Sequence, residues 1–314
     1  RLAITPIYAA FPDPRTLLVL HSVLFWWLIP ASYTLALKES GSPPLALSAA
    51  VLAALTPLAW PLAWNDFREL QLAIPFVLWA VQGIRHRQKG LAIAAVLALL
   101  ACRQEFAVVI ATFAFLPPKQ SEELSTRLSW RYALFTLGIA WLFLGFFGYL
   151  RFTSGLGAVN GFIDQFGGPK ASVGETLTTA SEVLFVGLGA WAILACAVPR
   201  TAILAAPWIW SLCNGRWALR FLETEDWHHV RYAAIPVALV LAAGLIGYSR
   251  TCLFFLKRRH GASLVCLVWT IAVVGSLLGL SGVTSRMSRI PDPIGPSEAR
   301  QIWRWIHEVG PEDG

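Results

Sequence analysis

Residues 262–281 read Ala-Ser-Leu-Val-Cys-Leu-Val-Trp-Thr-Ile-Ala-Val-Val-Gly-Ser-Leu-Leu-Gly-Leu-Ser, without a single charged side chain. About 20 mostly apolar residues are enough for a helix to cross the hydrocarbon core of a bilayer. The run is rich in Leu and shows no apolar–polar alternation, so strand periodicity does not compete. In lipid, every backbone N–H and C=O must be satisfied internally, which leaves a helix as the form such a run takes. The preceding Lys257-Arg258-Arg259-His260 closes it off with charge, and on the other side of that turn lies a second long apolar run, 230–248.

Working outward by the same criterion gives ten runs, at 15–37, 43–63, 69–84, 90–102, 104–117, 131–150, 182–198, 201–213, 230–248 and 262–281. The expectation is an all-α polytopic membrane protein with about ten membrane helices, some of them short or re-entrant. Arg103-Gln104-Glu105 separates the fourth run from the fifth, and 201–213 is short enough for a re-entrant element. Residues 1–281 form the transmembrane domain in this reading. Residues 282–314 begin an extracytoplasmic segment, in which Ser297 caps an amphipathic helix carrying Ile302, Trp305, Ile306 and Val309 on one face. The only Met is Met287, so the 314 residues read as a fragment of a longer chain.

Composition supports the class. Apolar residues make up 56% of the chain and charged residues 14%, with a mean hydropathy of +0.60. A water-soluble domain carries about a quarter charged residues, so a soluble enzyme, a disordered regulator and a secreted disulfide scaffold are poor fits. The net charge of +7 resolves into topology. With residues 1–14 outside, the inner loops 38–42, 85–89, 118–131, 199–200 and 249–261 hold 12 Lys or Arg and three acids, leaving 13 basic and 15 acidic residues elsewhere. Short cytoplasmic loops are enriched in Lys and Arg, and nucleic-acid binding is not needed to explain the balance. The Arg85–Lys89 and Lys257–His260 stretches also suit contact with anionic headgroups. Trp60, Trp64, Trp208, Trp210, Trp217 and Trp227 fall near the outer interface, where indoles form aromatic belts. The five cysteines show no metal-binding spacing, and a Cys102–Cys213 disulfide stays open.

Ionisable groups beside membrane spans are costly to place, so they mark candidate chemistry. Three clusters stand out, and topology puts all three on the outer side. In Asn65-Asp66-Phe67-Arg68-Glu69, Asp66 and Glu69 share a face if the turn is helical, and suit a divalent cation, a sugar hydroxyl or a proton; helix capping is the plainer alternative. Arg103 and Glu105 interrupt an apolar stretch either as a tight hairpin or as a cavity-facing pair, and a guanidinium fork matches phosphate oxygens. Glu223 to Tyr232 gathers three acids with His228, His229, Arg231 and Tyr232, but adjacent histidines do not share a helix face and no zinc-type spacing appears. No metal site is assigned from them. Gly-rich 151–181 reads as an outer loop. There is no phosphate-binding glycine loop and no nucleophile elbow.

Four segments carry a family resemblance. Arg1-Leu2-Ala3-Ile4-Thr5-Pro6-Ile7-Tyr8, Asn65–Glu69, Cys102-Arg103-Gln104-Glu105 and the Trp227–Pro236 stretch resemble a large family of bacterial and archaeal membrane proteins, domain of unknown function 2079, grouped with the GT-C superfamily of glycosyltransferases. Arg68 stands where that family has histidine, Gln104 replaces its first acid, and Arg231 precedes the tyrosine in place of the usual histidine. The resemblance implies a GT-C-like helical arrangement in a bacterial or archaeal cell membrane. It implies transfer of a sugar from a polyprenyl-phosphate donor at the outer face, with a catalytic acid expected upstream of Arg1. On that reading Asp66 and Glu69 line the acceptor or divalent-cation region, Arg103 and Arg231 hold donor phosphate, and Glu105 orients Arg103. A transporter or flippase, or a non-catalytic membrane subunit, are the alternatives.

Overall fold

A computed structural model describes residues 9–11, 13–64, 69–102, 106–117, 119, 124–145, 172–214, 233–258 and 260–287. Every described element is helical. The first part of the chain contains α1 (Pro14–Trp26), α2 (Leu28–Ser40), α3 (Pro43–Ala54), α4 (Ala59–Trp64), α5 (Glu69–Arg85), α6 (Lys89–Cys102), α7 (Phe106–Phe113) and α8 (Leu124–Phe143). The second part begins with α9 (Val173–Ser181), which leads through a π-helical segment (Glu182–Gly187) to α10 (Ala190–Ala195) and α11 (Pro199–Ala202). After a 3₁₀ turn at Ile203–Ala205 come α12 (Ala206–Asn214), α13 (Ala234–Leu256) and α14 (Gly261–Met287).

Among the described residues, three helical stretches are long and apolar enough to cross a membrane, at Thr16–Ser40, Ala234–Leu256 and Gly261–Ser281. Other apolar runs are divided by identifiable residues. Pro57 lacks an N–H and disfavours helical backbone at Thr56, so the expected span 43–63 is split between α3 and α4. In 182–198 the break falls at Gly189, whose φ of 55° is left-handed and suits glycine. The two breaks meet, because the Leu58 N–H donates to the Gly187 carbonyl at 3.1 Å. The 201–213 run is likewise divided, with Pro207 in the first turn of α12. A softer interruption at Trp27 precedes Pro30, whose ring cannot accommodate the preceding helical turn.

The α2–α3 hairpin turns at Gly41, a left-handed residue (φ 69°) whose N–H donates to the Leu37 carbonyl at 2.7 Å, and restarts on Pro43 and Pro44. The α5–α6 hairpin is close-packed, since a Cβ on Gly83 would lie 2.6 Å from the Ala92 backbone nitrogen. At the centre stands α13, buried from Ala234 through Ser249 and packed by α10, α5, α2 and α14. Gly244 and Gly247 make the α10 contact possible. Cβ atoms there would run into the Trp191 ring and into the Leu194 carbonyl. α14 is peripheral and presents Leu267, Trp269, Ile271, Val274, Leu277 and Leu278 outward, an apolar surface suited to lipid.

Helix directions follow from these contacts. Gly244 packs on Trp191 and Gly247 on Leu194, so α13 and α10 run parallel. Tyr248 meets Ser48 midway along α3 (Oη···Oγ 2.7 Å), whereas the stretch preceding Trp191 meets Leu58 beyond the end of α3. α13 therefore runs antiparallel to α3. Its Leu256 end lies with the α2–α3 turn, and its Ala234 end lies at the opposite end of the bundle.

Candidate functional site

Most of the predicted site residues lie outside the described residues: Asp66, Arg103, Glu105, His228, His229, Arg231 and Tyr232. Glu69 is placed as the first residue of α5. What the structure does place is the set of helix ends that flank all three clusters. α5 and α6 pair through the tight turn at 86–88, so Glu69 and Cys102 share the end of that hairpin remote from the turn. α7 then starts at Phe106 and leads to Pro117, whose carbonyl lies beside Arg85 at the turn end. At the remote end, too, α13 begins with Ala234. Three helices thus start at one end of the bundle, each directly beside one of the polar interruptions. Backbone N–H groups without intrahelical partners give each start a partial positive charge.

The opposite end holds a polar knot that hydropathy did not anticipate. The Glu39 carboxylate, in the last turn of α2, accepts two hydrogen bonds from Arg85, Nε to Oε1 at 2.9 Å and Nη2 to Oε2 at 3.2 Å. Arg85 also donates through Nη1 to the Pro117 carbonyl at 2.6 Å. His86 Nε2 lies 3.0 Å from Glu39 Oε1. Lys119 donates through Nζ to the Lys38 and Glu39 carbonyls at 2.6 and 2.9 Å, and its backbone N–H reaches the Arg85 carbonyl. Both members of the Glu39–Arg85 pair are buried, with side chains 2% and 0% exposed. Two parallel N–H···O bonds are the geometry in which arginine best satisfies a carboxylate.

The knot ties the C-terminal ends of α2 and α5 to the segment following α7. It corrects one sequence expectation: Arg85 is buried in a fork to Glu39 and does not present its guanidinium to headgroups, whereas Arg87 and Lys89 are exposed. Glu39 adjoins Lys38 at the edge of an apolar run, and nothing local distinguishes it from a loop acid. Its partner is 46 residues away, and only helix packing brings them together.

Two further expectations are resolved. Cys213 is buried as a free thiol, so no Cys102–Cys213 disulfide forms. Of the tryptophans expected at the interface, Trp210 is exposed, but Trp60 packs edge-on against Trp26 and donates to the Ala54 carbonyl at 3.1 Å. Trp60 thereby helps to hold the α3–α4 break. Among the described residues no group of three His, Cys, Asp or Glu is placed to hold a metal ion.

Comparison with known proteins gives one result. The family described as "Predicted membrane protein (DUF2079)" matches residues 2–150, the portion from the start of the chain through α8. That description agrees with apolar helices fit for membrane insertion. No curated protein and no solved structure matches the chain.

Proposed function

We propose that the protein is a membrane glycosyltransferase-like enzyme that accepts a sugar from a polyprenyl-phosphate donor at the extracytoplasmic end of the bundle, where α5, α7 and α13 begin. The observation that supports this reading is the common end shared by Glu69, Cys102, Phe106 and Ala234, the described residues that adjoin Asp66, Arg103, Glu105, Arg231 and Tyr232 in the sequence. In the reaction the acceptor oxygen bonds to the sugar's anomeric carbon as the bond from that carbon to phosphate oxygen breaks. The acceptor proton passes to a carboxylate, and the departing polyprenyl phosphate keeps the bonding pair. Arg103 and Arg231 neutralise the departing phosphate, whose oxygens match the guanidinium fork, and the helix starts add partial positive charge. Glu105 orients Arg103. Asp66 and Glu69 position the acceptor, with or without a divalent cation.

The test is Arg103→Ala in reconstituted vesicles supplied with a polyprenyl-phosphate sugar. Transfer should fall by about 100-fold or more, as for loss of a charge-stabilising group at a reacting centre, while the melting temperature stays unchanged. Wild-type turnover by the variant would remove Arg103 from the mechanism.

A second reading is translocation of a lipid-linked or small solute. It is favoured by the meeting of two broken helices at Leu58 and Gly187, near which the Thr56 and Ser276 hydroxyls and the Trp191 indole N–H are buried without a hydrogen-bond partner. Broken helices with polar groups at depth are a transporter feature. Flux across a sealed bilayer without a covalent product in the lipid fraction would favour this reading over transfer.

A further inference from the structure

The turn joining α13 to α14 combines features that neither the polar knot nor the proposed chemistry uses. α13 is buried through Ser249 and then emerges, so that Arg250, Phe254, Leu256, Lys257 and Arg258 are all exposed. Arg250 and Phe254 lie four residues apart on one face of the last turns of α13, and Lys257 and Arg258 follow directly in the turn beyond it. Phe254 is 55% exposed, a large apolar ring beside cations, and the Arg258 guanidinium carbon sits 5.0 Å from its centroid. Stacking on an aromatic face orients a guanidinium while leaving its edge N–H groups available.

The backbone of the turn is tied down. The Arg258 N–H donates to the Phe255 carbonyl at 2.8 Å, the Gly261 N–H to the Arg258 carbonyl at 3.0 Å, and the Leu264 N–H to the His260 carbonyl at 3.1 Å. Gly261 permits this close return, since a Cβ there would collide with the Phe255 carbonyl. Lys257 and Arg258 are thus presented between two helices long enough to cross a membrane.

Among the described residues, charge at this end is unbalanced. Lys38, Arg87, Lys89, Lys119 and Arg200 are also exposed, whereas Glu39, which forms the knot, is buried and bonded to Arg85. Exposed cations beside exposed Phe254 and Leu256 at the end of a membrane helix match an anionic lipid in both parts, headgroup against charge and upper acyl chain against ring. We propose that the α13–α14 turn is a binding site for an anionic phospholipid, with Arg250, Lys257 and Arg258 holding the headgroup phosphate and Phe254 lying against the chain. The site lies at the opposite end from the proposed transfer chemistry and does not depend on it.

The test compares the full chain reconstituted in phosphatidylcholine vesicles with and without phosphatidylglycerol, then counts retained lipids by native mass spectrometry. Arg250→Gln/Lys257→Gln/Arg258→Gln should lower the preference for phosphatidylglycerol by about tenfold or more. Lys38→Gln/Arg87→Gln/Lys89→Gln, an equal change in charge at the same end, should leave it near wild type. Unchanged preference in the first variant, or an equal loss in the second, would overturn the proposal. Should the triple variant fail to fold, Arg258→Gln and Phe254→Ala singly must each weaken the preference, and wild-type retention in both would overturn it equally.

Discussion

At the scale of single residues, Glu39 and Arg85 show what hydropathy cannot reveal. Each adjoins other charged residues at the edge of an apolar run, so each reads as part of a polar loop. The α2 helix instead continues through Ser40 and carries Glu39 inward, where Arg85, His86 and the Lys119 ammonium surround its carboxylate and carbonyl. Removing one member of a buried pair strands the other charge, whereas replacing both by apolar groups removes two desolvation penalties together. Glu39→Ala should therefore destabilise the protein by about 3 kcal/mol or more, and Glu39→Leu/Arg85→Leu should recover much of that loss. Thermal melts in detergent check both. Equal melting temperatures for wild type and Glu39→Ala would show that the pair contributes no stability. The candidates Asp66, Arg103 and Arg231 stand out in the sequence for the converse reason: each interrupts apolar stretches, and that pattern is local.

At the scale of elements, the long apolar runs at 230–248 and 262–281 were legible because each corresponds to one uninterrupted helix, Ala234–Leu256 and Gly261–Met287. The runs at 43–63 and 182–198 were legible only as apolar. A window average registers Leu and Ala but is blind to the single residues, Pro57 and Gly189, that break the helical hydrogen-bond ladder. Packing between elements depends on equally small features. Gly247 faces the Leu194 backbone carbonyl, which cannot move aside without disturbing α10, whereas Gly275 on α14 has open space where a Cβ would be added. Gly247→Ala should therefore sharply lower the melting temperature by separating α10 from α13. Gly275→Ala should leave it unchanged or raise it slightly, because alanine is the better helix former. Identical behaviour of the two variants would contradict the assigned α10–α13 contact.

At the scale of the whole molecule, the bundle has two chemically different ends. One gathers the knot at Glu39 and Arg85 together with exposed cations, and the other gathers the starts of α5, α7 and α13. In the sequence, the basic loops are what distinguish one set of turns from the other. The contacts that set helix direction were not legible, because Gly244 against Trp191 and Tyr248 against Ser48 join residues far apart in the chain. The central claim is that all three polar interruptions open to one side of the membrane and the basic turns to the other. In a protein whose natural cysteines are replaced by serine, single Asp66→Cys, Arg103→Cys, Tyr232→Cys, Lys38→Cys, Lys89→Cys and Lys257→Cys substitutions can be labelled in intact cells with a membrane-impermeant maleimide. Labelling at positions 66, 103 and 232, with 38, 89 and 257 reacting only after the membrane is permeabilised, is the predicted result; labelling divided within either set of three would contradict it.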